Sequence, residues 1–306
     1  MGRKAKGDRS CRSGRIWLWC NWGWITAGLL LLAGCAQVMV ATPAPVNITV
    51  AGATAMQPAL FDLTAEYSRQ HPYVRFDVRG GGSTIGEEWV RTRQAQLAAS
   101  TLVVDDLAIP ARAADGARLV RIPIGIDGLA IVVHATNVIT DLTVADLRAM
   151  YSGRVLDWSE LGSESGEILL VSREDGSGSR ILFERRVMGA EPVSLTAVVM
   201  PTSADVVAYV AQNPQAIGYV SRAYVAALPR GETAAAGGAP ANRVRVVAVE
   251  GQLPTASNLR DQSYTLTQPL FLISRGEPQG QVRLFIDFVL SPTGQAIVER
   301  YHARIR

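Results

Sequence analysis

The sequence predicts an α/β fold, and three observations support this prediction. Of the 306 residues, 48% are hydrophobic and 19% are charged, a balance that favours a packed globular body and excludes disordered or collagen-like chains. Short apolar runs alternate with segments of helical periodicity, which is the order of strands and helices in α/β proteins. The body, about 260 residues from Asn47 onward, is near the size at which one core divides into two lobes.

Apolar runs bounded by turn residues predict the strands, and apolar residues at helical spacing predict the helices. Strands are expected at Ile48–Ala51, Val74–Val78, Leu119–Ile122, Ala130–His134, Ile168–Val171, Ile217–Val220, Val244–Val249 and Leu270–Ser274. Helices are expected at Ala59–Gln70, Glu87–Ala95, Val144–Met150, Ile181–Met188, Ala204–Gln212, Gln281–Leu290 and Thr293–Tyr301. The low-complexity run Gly231–Ala241 is expected to form a surface loop.

The N-terminus has the composition of a secretory signal. A basic stretch through Arg15 precedes an apolar run from Ile16, which ends in Leu32-Ala33-Gly34-Cys35. These last four residues resemble a bacterial lipobox, whose cysteine receives a diacylglyceryl chain and becomes the mature N-terminus. We therefore expect a signal peptide at 1–34 and a lipidated N-terminus and tether at 35–46, with anchorage at the extracytoplasmic face of the cell membrane, in the periplasm or at the cell surface. The alternative is an uncleaved transmembrane helix, since about 20 apolar residues span a bilayer.

Charge and cysteine content exclude several classes of function. Without residues 1–34 the chain has 24 basic and 26 acidic groups, so its formal charge is −2 and gives no reason to expect a nucleic-acid partner. All three cysteines lie within the first 35 residues, so the body has no cysteine-based metal site. The histidines at 71, 134 and 302 lack the spacing of metal ligands. We expect neither a metal nor a cofactor.

Three loops share one design, in which a strand is followed by a turn rich in Gly, Ser and Thr and then by a helix. They are Ala51–Met56, Gly80–Gly86 and Arg173–Ser179. A helix N-terminus presents unpaired N–H groups, glycine permits close approach, and hydroxyls add donors, so such a loop can bind an anion. Ser and Thr are also ordinary helix caps, so one loop alone indicates little. Three loops of this kind indicate a shared anion site at the carboxyl ends of the strands.

Arg173 gives the third loop a cation. A guanidinium can hold two oxygens of a tetrahedral anion, and each hydrogen bond to a charged group contributes about 1.5–3 kcal/mol. Five or six such bonds give roughly 8–18 kcal/mol before any costs, and micromolar binding requires about 8 kcal/mol net. Asp175 is expected to pair with Arg173 and to fix its orientation, and the alternative is a surface charge pair without a role.

These loops and several other segments resemble the PstS-type phosphate-binding proteins of ABC transporters. The segments run in family order and are Gly52-Ala53-Thr54, Gly82-Ser83, Leu142–Arg154 with Trp158, Arg173–Ser179, Ala216–Val220 and Leu290–Gln295. The resemblance implies a two-lobed periplasmic-binding-protein-like fold, in which each lobe is a mixed sheet flanked by helices and two hinge crossings join the lobes. Lobe I would comprise 47–124 plus 250–306, and lobe II 125–249. The implied function is that of a monomer that captures phosphate and delivers it to ABC permease subunits.

The same resemblance implies a set of anion ligands. They are the hydroxyl and amide of Thr54, the Ala55 amide, Ser83, Arg173, Ser177, the Gly178 amide and Ser179. Where the family has an Asp that accepts the proton of hydrogen phosphate and repels sulfate, this chain has Thr101. A Thr hydroxyl carries no charge, so we expect weaker discrimination of phosphate from sulfate. A shift in register that brings Asp105 or Asp106 into the site would restore it.

Two alternative functions stay open at this point. One is binding of another tetrahedral oxyanion, such as sulfate, molybdate or tungstate, and the other is a non-transporting sensor or adhesin of the same fold. An enzyme is not expected, because neither Ser83 nor Ser177 lies in a Gly-x-Ser-x-Gly frame and the chain has no P-loop motif.

Overall fold

The computed structural model describes residues 44–103, 113, 115–226 and 243–305. The strands in these ranges are β1 Val46–Gly52, β2 Val74–Arg79, β3 Leu97–Ser100, β4 Leu119–His134, β5 Asp141–Leu142, β6 Leu169–Arg173, β7 Val198–Met200, β8 Ala216–Ser221, β9 Val244–Val249 and β10 Thr267–Arg275. The α-helices are α1 Gln57–Gln70, α2 Gly82–Arg91, α3 Val144–Tyr151, α4 Gly178–Phe183, α5 Ser203–Gln212, α6 Ala256–Arg260, α7 Gly280–Leu290 and α8 Pro292–Tyr301. Short 3-10 turns lie at Thr54–Met56, Trp158–Leu161 and Arg222–Tyr224, and the π-helical turn Glu184–Met188 continues α4.

The long strand β4 organises the sheet. The strand order is β2-β1-β3-β10-β4-β8-β6-β7, with β9 paired to β4 and β5 paired to β9. From Leu119 to Gly128, β4 pairs with β10, whereas from Leu129 onward it pairs with β8 and β9. We call β1, β2, β3 and β10 with the start of β4 the first half of the sheet, and β5 to β9 with the end of β4 the second half.

Helices cover both faces of each half of the sheet. In the first half, α1, α7 and α8 enclose a core that includes Leu63 and Phe285, and α2 covers the other face through Val90. In the second half, α3 and α4 cover one face around Phe183, and α5 covers the other through Val206. Parallel pairs such as β1–β2 and β6–β8 occur beside antiparallel pairs such as β4–β10. The predicted α/β fold with mixed sheets flanked by helices is therefore confirmed.

Several boundaries differ from the sequence prediction. Residues 119–134 form one strand instead of two, since the register of β10 shifts between Leu270 and Phe271, opposite Pro123. A β-bulge of this kind accommodates a proline within a strand. Helix α2 begins at Gly82, five residues before the predicted start, because the glycine loop itself forms the first turn. The short elements β3, β5, β7 and α6 were not predicted, and β1 begins at Val46, the last residue of the predicted tether.

Three sequence predictions concern residues outside the described ranges. They are the signal peptide at 1–34, the lipidated Cys35 and the loop Gly231–Ala241. Among the residues that are described, no helix has both the length and the apolar character needed to span a bilayer.

Candidate anion-binding site

Segments from both halves of the sheet meet at one place. In the first half, the turn Thr54–Met56 follows β1, α2 begins at Gly82, and Thr101 follows β3. In the second half, Arg173 ends β6 and α4 begins at Gly178. Strands β1, β2 and β3 run parallel to one another, as do β6, β7 and β8. The loops that follow them therefore lie at the carboxyl ends of the strands, where α/β sheets bind ligands.

Arg173 is held at this junction by groups from both halves. Its side chain is 1% exposed, its Nη2 donates to Thr54 Oγ1 at 3.1 Å, and its Nη1 donates to Ser203 Oγ at 3.0 Å. Glu174 accepts from Nε at 2.9 Å and from Nη2 at 3.0 Å. Among the described residues Ser203 is the acceptor for Nη1, so the second N–H of that nitrogen is available to a bound anion.

Asp175 does not pair with Arg173, and this corrects the sequence prediction. The Asp175 side chain is 95% exposed, and its Oδ1 lies 2.8 Å from Nη1 of Arg180. Strand alternation would place residues 173 and 175 on the same side, but β6 ends at Arg173 and the chain turns through Gly176, whose φ is +81°. Glu174 therefore takes the orienting role that was expected of Asp175.

The hydroxyls of Thr54 and Ser83 are set up as donors. Thr54 Oγ1 accepts from Arg173, and Ser83 Oγ accepts the N–H of Thr101 at 3.2 Å. The Thr54 hydroxyl keeps one proton for another acceptor, whereas Ser83 Oγ also lies 3.4 Å from Thr101 Oγ1, and either of these two oxygens can donate to the other. Thr54 is 3% exposed and Ser83 is fully buried, so both hydroxyls lie away from bulk water.

Thr101 and Gly178 bring the two halves into direct contact. A Cβ atom at Gly178 would lie 1.9 Å from Thr101 Oγ1 and 2.9 Å from Ser83 Oγ. Only glycine permits this approach, because real Cβ contacts are not shorter than 3.0 Å. Thr101 itself is 4% exposed, and its Oγ1 lies 3.4 Å from Ser83 Oγ. The structure therefore places Thr101 in the wall of the site, whereas Asp105 and Asp106 lie outside the described residues.

The other residues expected in the site lie at the same junction. Ser177 and Ser179 are each 2% exposed, and Ser177 Oγ caps α4 by accepting from the Arg180 N–H. Ala55 is 4% exposed and lies in the 3-10 turn after β1, where the first N–H groups have no partner within the turn. The structure thus places Ala55, Ser177 and Ser179 in the buried segments that carry Thr54 and Gly178.

A family model described as a PBP superfamily domain matches residues 39–293. The chain belongs to the PBP superfamily. Two relatives are the phosphate-binding proteins PstS of Bacillus subtilis (strain 168) and of Borreliella burgdorferi. The first is 25% identical over 246 residues, which cover 80% of this chain and 75% of the relative. The second is 21% identical over 261 residues, which cover 82% of this chain and 87% of the relative.

Solved structures of PBP-like proteins are also similar to this chain in sequence and fold. A Clostridium perfringens protein described as a phosphate ABC transporter substrate-binding protein, with bound phosphate, is 26% identical with a TM-score of 0.74, covering 85% of this chain and all of that one. An ABC-type phosphate transport receptor from Vibrio cholerae is 26% identical with a TM-score of 0.63, covering 84% of this chain and 99% of that one. These matches confirm the resemblance to PstS-type proteins that the sequence predicted.

This member of the PBP superfamily has a buried carboxylate behind Thr101 that sequence reasoning missed. Glu87 of α2 is fully buried, accepts from Ser100 Oγ and pairs with Arg121. Burial raises the pKa of Glu87, while Ser100 and Arg121 act in the opposite direction. Ser100 Oγ in turn accepts the N–H of Leu102 at 3.2 Å. Glu87 and Arg121 therefore stabilise the turn that contains Thr101. The sequence gave no sign of this role, because these side chains come together only in the folded chain.

Ser203 was also missed. It is fully buried in the first turn of α5 and contacts Arg173 across 30 positions of sequence, so its role had no local signal. In the parts of the chain that the structure describes, no group of three His, Cys, Asp or Glu side chains could hold a metal ion. The candidate donors in this member of the PBP superfamily are hydroxyls, main-chain amides and the Arg173 guanidinium, which pairs with Glu174.

Proposed function

We propose that this chain is an extracytoplasmic solute-binding protein, not an enzyme, that captures inorganic phosphate and delivers it to an ABC permease. The observation that carries the proposal is the convergence of Thr54, Ser83, Arg173 and the turn Ser177–Ser179 on one buried junction. Phosphate is favoured because the relatives from Bacillus subtilis and Clostridium perfringens are described as phosphate-binding proteins.

The proposed ligand set binds an anion without a metal. It consists of the Thr54 hydroxyl and amide, the Ala55 amide, Ser83, Thr101, Arg173, Ser177, the Gly178 amide and Ser179. Hydrogen bonds to charged groups contribute about 1.5–3 kcal/mol each, so five or six of them support micromolar affinity after the costs of desolvation and ordering. The Arg173 fork, fixed by Glu174 and Ser203, supplies the positive charge.

We also propose that the two halves of the sheet are lobes that separate to admit the anion. Lobe I would be 47–124 plus 250–306 and lobe II 125–249, with β4 and the segment 250–266 as the two crossings. One core is confined to 48–99, Ile124 and 270–298, which supports lobe I. The other is built mainly from 129–249, and Leu259, Tyr264 and Leu266 of the second crossing and Ala303 also pack into it. Since the candidate donors are between 0% and 4% exposed, an anion can reach them only when the lobes move apart.

We further propose that Cys35 carries a lipid that anchors the monomer to the outer face of the cell membrane. The support is the apolar run that ends in Leu32-Ala33-Gly34-Cys35. Mass spectrometry of the mature N-terminal peptide tests this point, since an intact residue 1–34 segment without an acyl group would refute it.

A thermal-shift panel of phosphate, sulfate, molybdate and tungstate tests the proposed function. A ligand that binds only the folded state raises the melting temperature, and the stabilisation grows with the logarithm of ligand concentration over Kd, so at equal concentration the tightest ligand gives the largest increase. We expect phosphate to give the largest increase and calorimetry to give a micromolar or tighter Kd. If none of the four anions stabilises the protein, the proposal is wrong.

Another tetrahedral oxyanion is the second candidate ligand, because Thr101 offers the site no carboxylate. We expect Thr101→Asp to raise the ratio of phosphate affinity to sulfate affinity by about fivefold, since a carboxylate accepts the proton of hydrogen phosphate and repels sulfate. Calorimetry with both anions at pH 7 measures the ratio. Thr101→Asn is the matched control, with similar size and no charge, and should leave the ratio near that of the native protein. Equal ratios for the Asp and Asn variants would place anion discrimination at another residue.

A further inference from the structure

Two hydroxyl oxygens from the second half of the sheet lie within hydrogen-bond distance of main-chain carbonyls in the turn Thr54–Met56. Tyr224 Oη donates to the Thr54 carbonyl at 2.8 Å, and Ser221 Oγ lies 3.3 Å from the Ala55 carbonyl. Both side chains come from the end of β8 and the 3-10 turn that follows it. They contact the main-chain carbonyls of two proposed ligand residues.

Asp127 of β4 is the centre of a buried group of hydrogen-bonded side chains that includes Ser221. Asp127 Oδ1 lies 2.9 Å from Ser221 Oγ and 3.0 Å from His302 Nδ1, and its Oδ2 accepts from Gln268 Nε2 at 3.0 Å. All four side chains are 2% exposed or less. A buried carboxylate is costly unless it is fully paired, so each partner is fixed in place. Asp127 lies next to the point where β4 passes from the first half of the sheet to the second.

The protonation state of Tyr224 makes it a donor. Burial raises the pKa of Tyr224 to about 12, so the phenol keeps its proton at any physiological pH. Its bond to Thr54 therefore fixes the carbonyl of the residue whose Oγ1 accepts from Arg173. Thr54 is thus held at two atoms, its carbonyl oxygen by Tyr224 and its Oγ1 by Arg173.

We propose that Tyr224 is a positioning residue for anion binding. It holds the Thr54 carbonyl so that the Thr54 hydroxyl and the first amides of the turn face the anion, although its own side chain does not touch the anion. The single proton of Ser221 Oγ serves either the Asp127 carboxylate or the Ala55 carbonyl, so Ser221 has no part in the proposal. This inference rests on the proposed function, since it assigns a role within the same site.

Tyr224→Phe tests the inference against a matched control. We expect it to weaken phosphate binding by about three- to tenfold in calorimetry, the range for one lost hydrogen bond. Tyr264→Phe is the control, because Tyr264, like Tyr224, donates to a main-chain carbonyl, that of Leu129, at 2.7 Å. The control should change affinity by less than about twofold even if its melting temperature falls to the same extent. Equal affinity in the native protein and Tyr224→Phe overturns the inference.

A double-mutant cycle separates positioning from general stability. In a Thr54→Val background the hydroxyl that Tyr224 is argued to orient is absent, so Tyr224→Phe should weaken phosphate binding by a smaller factor than in the native background. The same factor in both backgrounds overturns the inference. The native protein is measured first: failure to bind phosphate refutes the proposed function, whereas native binding with an unaffected Tyr224→Phe refutes only the role of Tyr224.

Discussion

Arg173→Ala is expected to weaken phosphate binding at least about tenfold, because the anion loses the charge-assisted hydrogen bond from Nη1, which contributes about 1.5–3 kcal/mol. The substitution also leaves the Glu174 carboxylate without its guanidinium partner, 25% exposed at the edge of the site. That carboxylate then repels the anion that Arg173 attracted. Thr54 loses the donor to its Oγ1 as well, so its hydroxyl is no longer oriented.

Two further variants make this result interpretable. Arg173→Lys keeps the charge but not the planar fork, so its affinity should lie between those of the native protein and Arg173→Ala. Arg148→Ala is the control for removal of a partly buried arginine elsewhere, since Arg148 contacts the Val187 carbonyl and no residue of the site. Calorimetry on folded protein gives the comparison. Unchanged affinity in Arg173→Ala would remove Arg173 from the site.

The location of the site was predictable because local sequence encodes it. Each loop needs small residues where the chain approaches a ligand and a hydroxyl or amide that faces it, and this leaves Gly, Ser and Thr directly after a strand. Gly178 shows the constraint in three dimensions, since its Cα packs against Thr101 of the other half. The composition of a loop therefore records a contact that the loop makes in the folded protein.

The partners of the site residues were less predictable. The sequence predicted that Asp175, two residues after Arg173, pairs with it, but β6 ends at Arg173 and Glu174 makes the contact instead. Ser203 and Tyr224 approach from elements that are 30 and 170 positions away from their partners. A single sequence holds no information on such pairs, because nothing local distinguishes them from ordinary polar residues.

The secondary structure was likewise predicted well where the signal is local and missed where it depends on distant residues. The ends of long amphipathic helices such as α1 and α7 were predicted to within two residues, because apolar residues recur at helical spacing in these segments. Strand β3, Leu97–Ser100, was missed because it is four residues long, contains two alanines and is buried on both faces. Its assignment depends on pairing with β1 and β10. Thr101 owes its place in the site to that pairing.

The junction between the halves contains a substitution site that tests closure directly. Gly178 lies in α4 with ordinary helical backbone geometry, so alanine is compatible with the helix itself. The added Cβ would lie 1.9 Å from Thr101 Oγ1 and 2.9 Å from Ser83 Oγ, and both atoms belong to the other half of the sheet. The clash therefore exists only when the proposed lobes are together.

Gly178→Ala is expected to weaken phosphate binding by about 10- to 100-fold, which corresponds to overpacking by about 1–3 kcal/mol. The melting temperature of the variant without ligand should be close to that of the native protein, because separated lobes relieve the contact. With phosphate, small-angle scattering should show a larger radius of gyration for the variant than for the native complex. In a Thr101→Ala background the oxygen at 1.9 Å is absent, so Gly178→Ala should reduce affinity by a smaller factor. Native affinity in Gly178→Ala, or the same loss of affinity in both backgrounds, would contradict the contact between Gly178 and Thr101. Either result would also contradict the proposed closure, because a site that tolerates this methyl group does not bring the two lobes together around the anion.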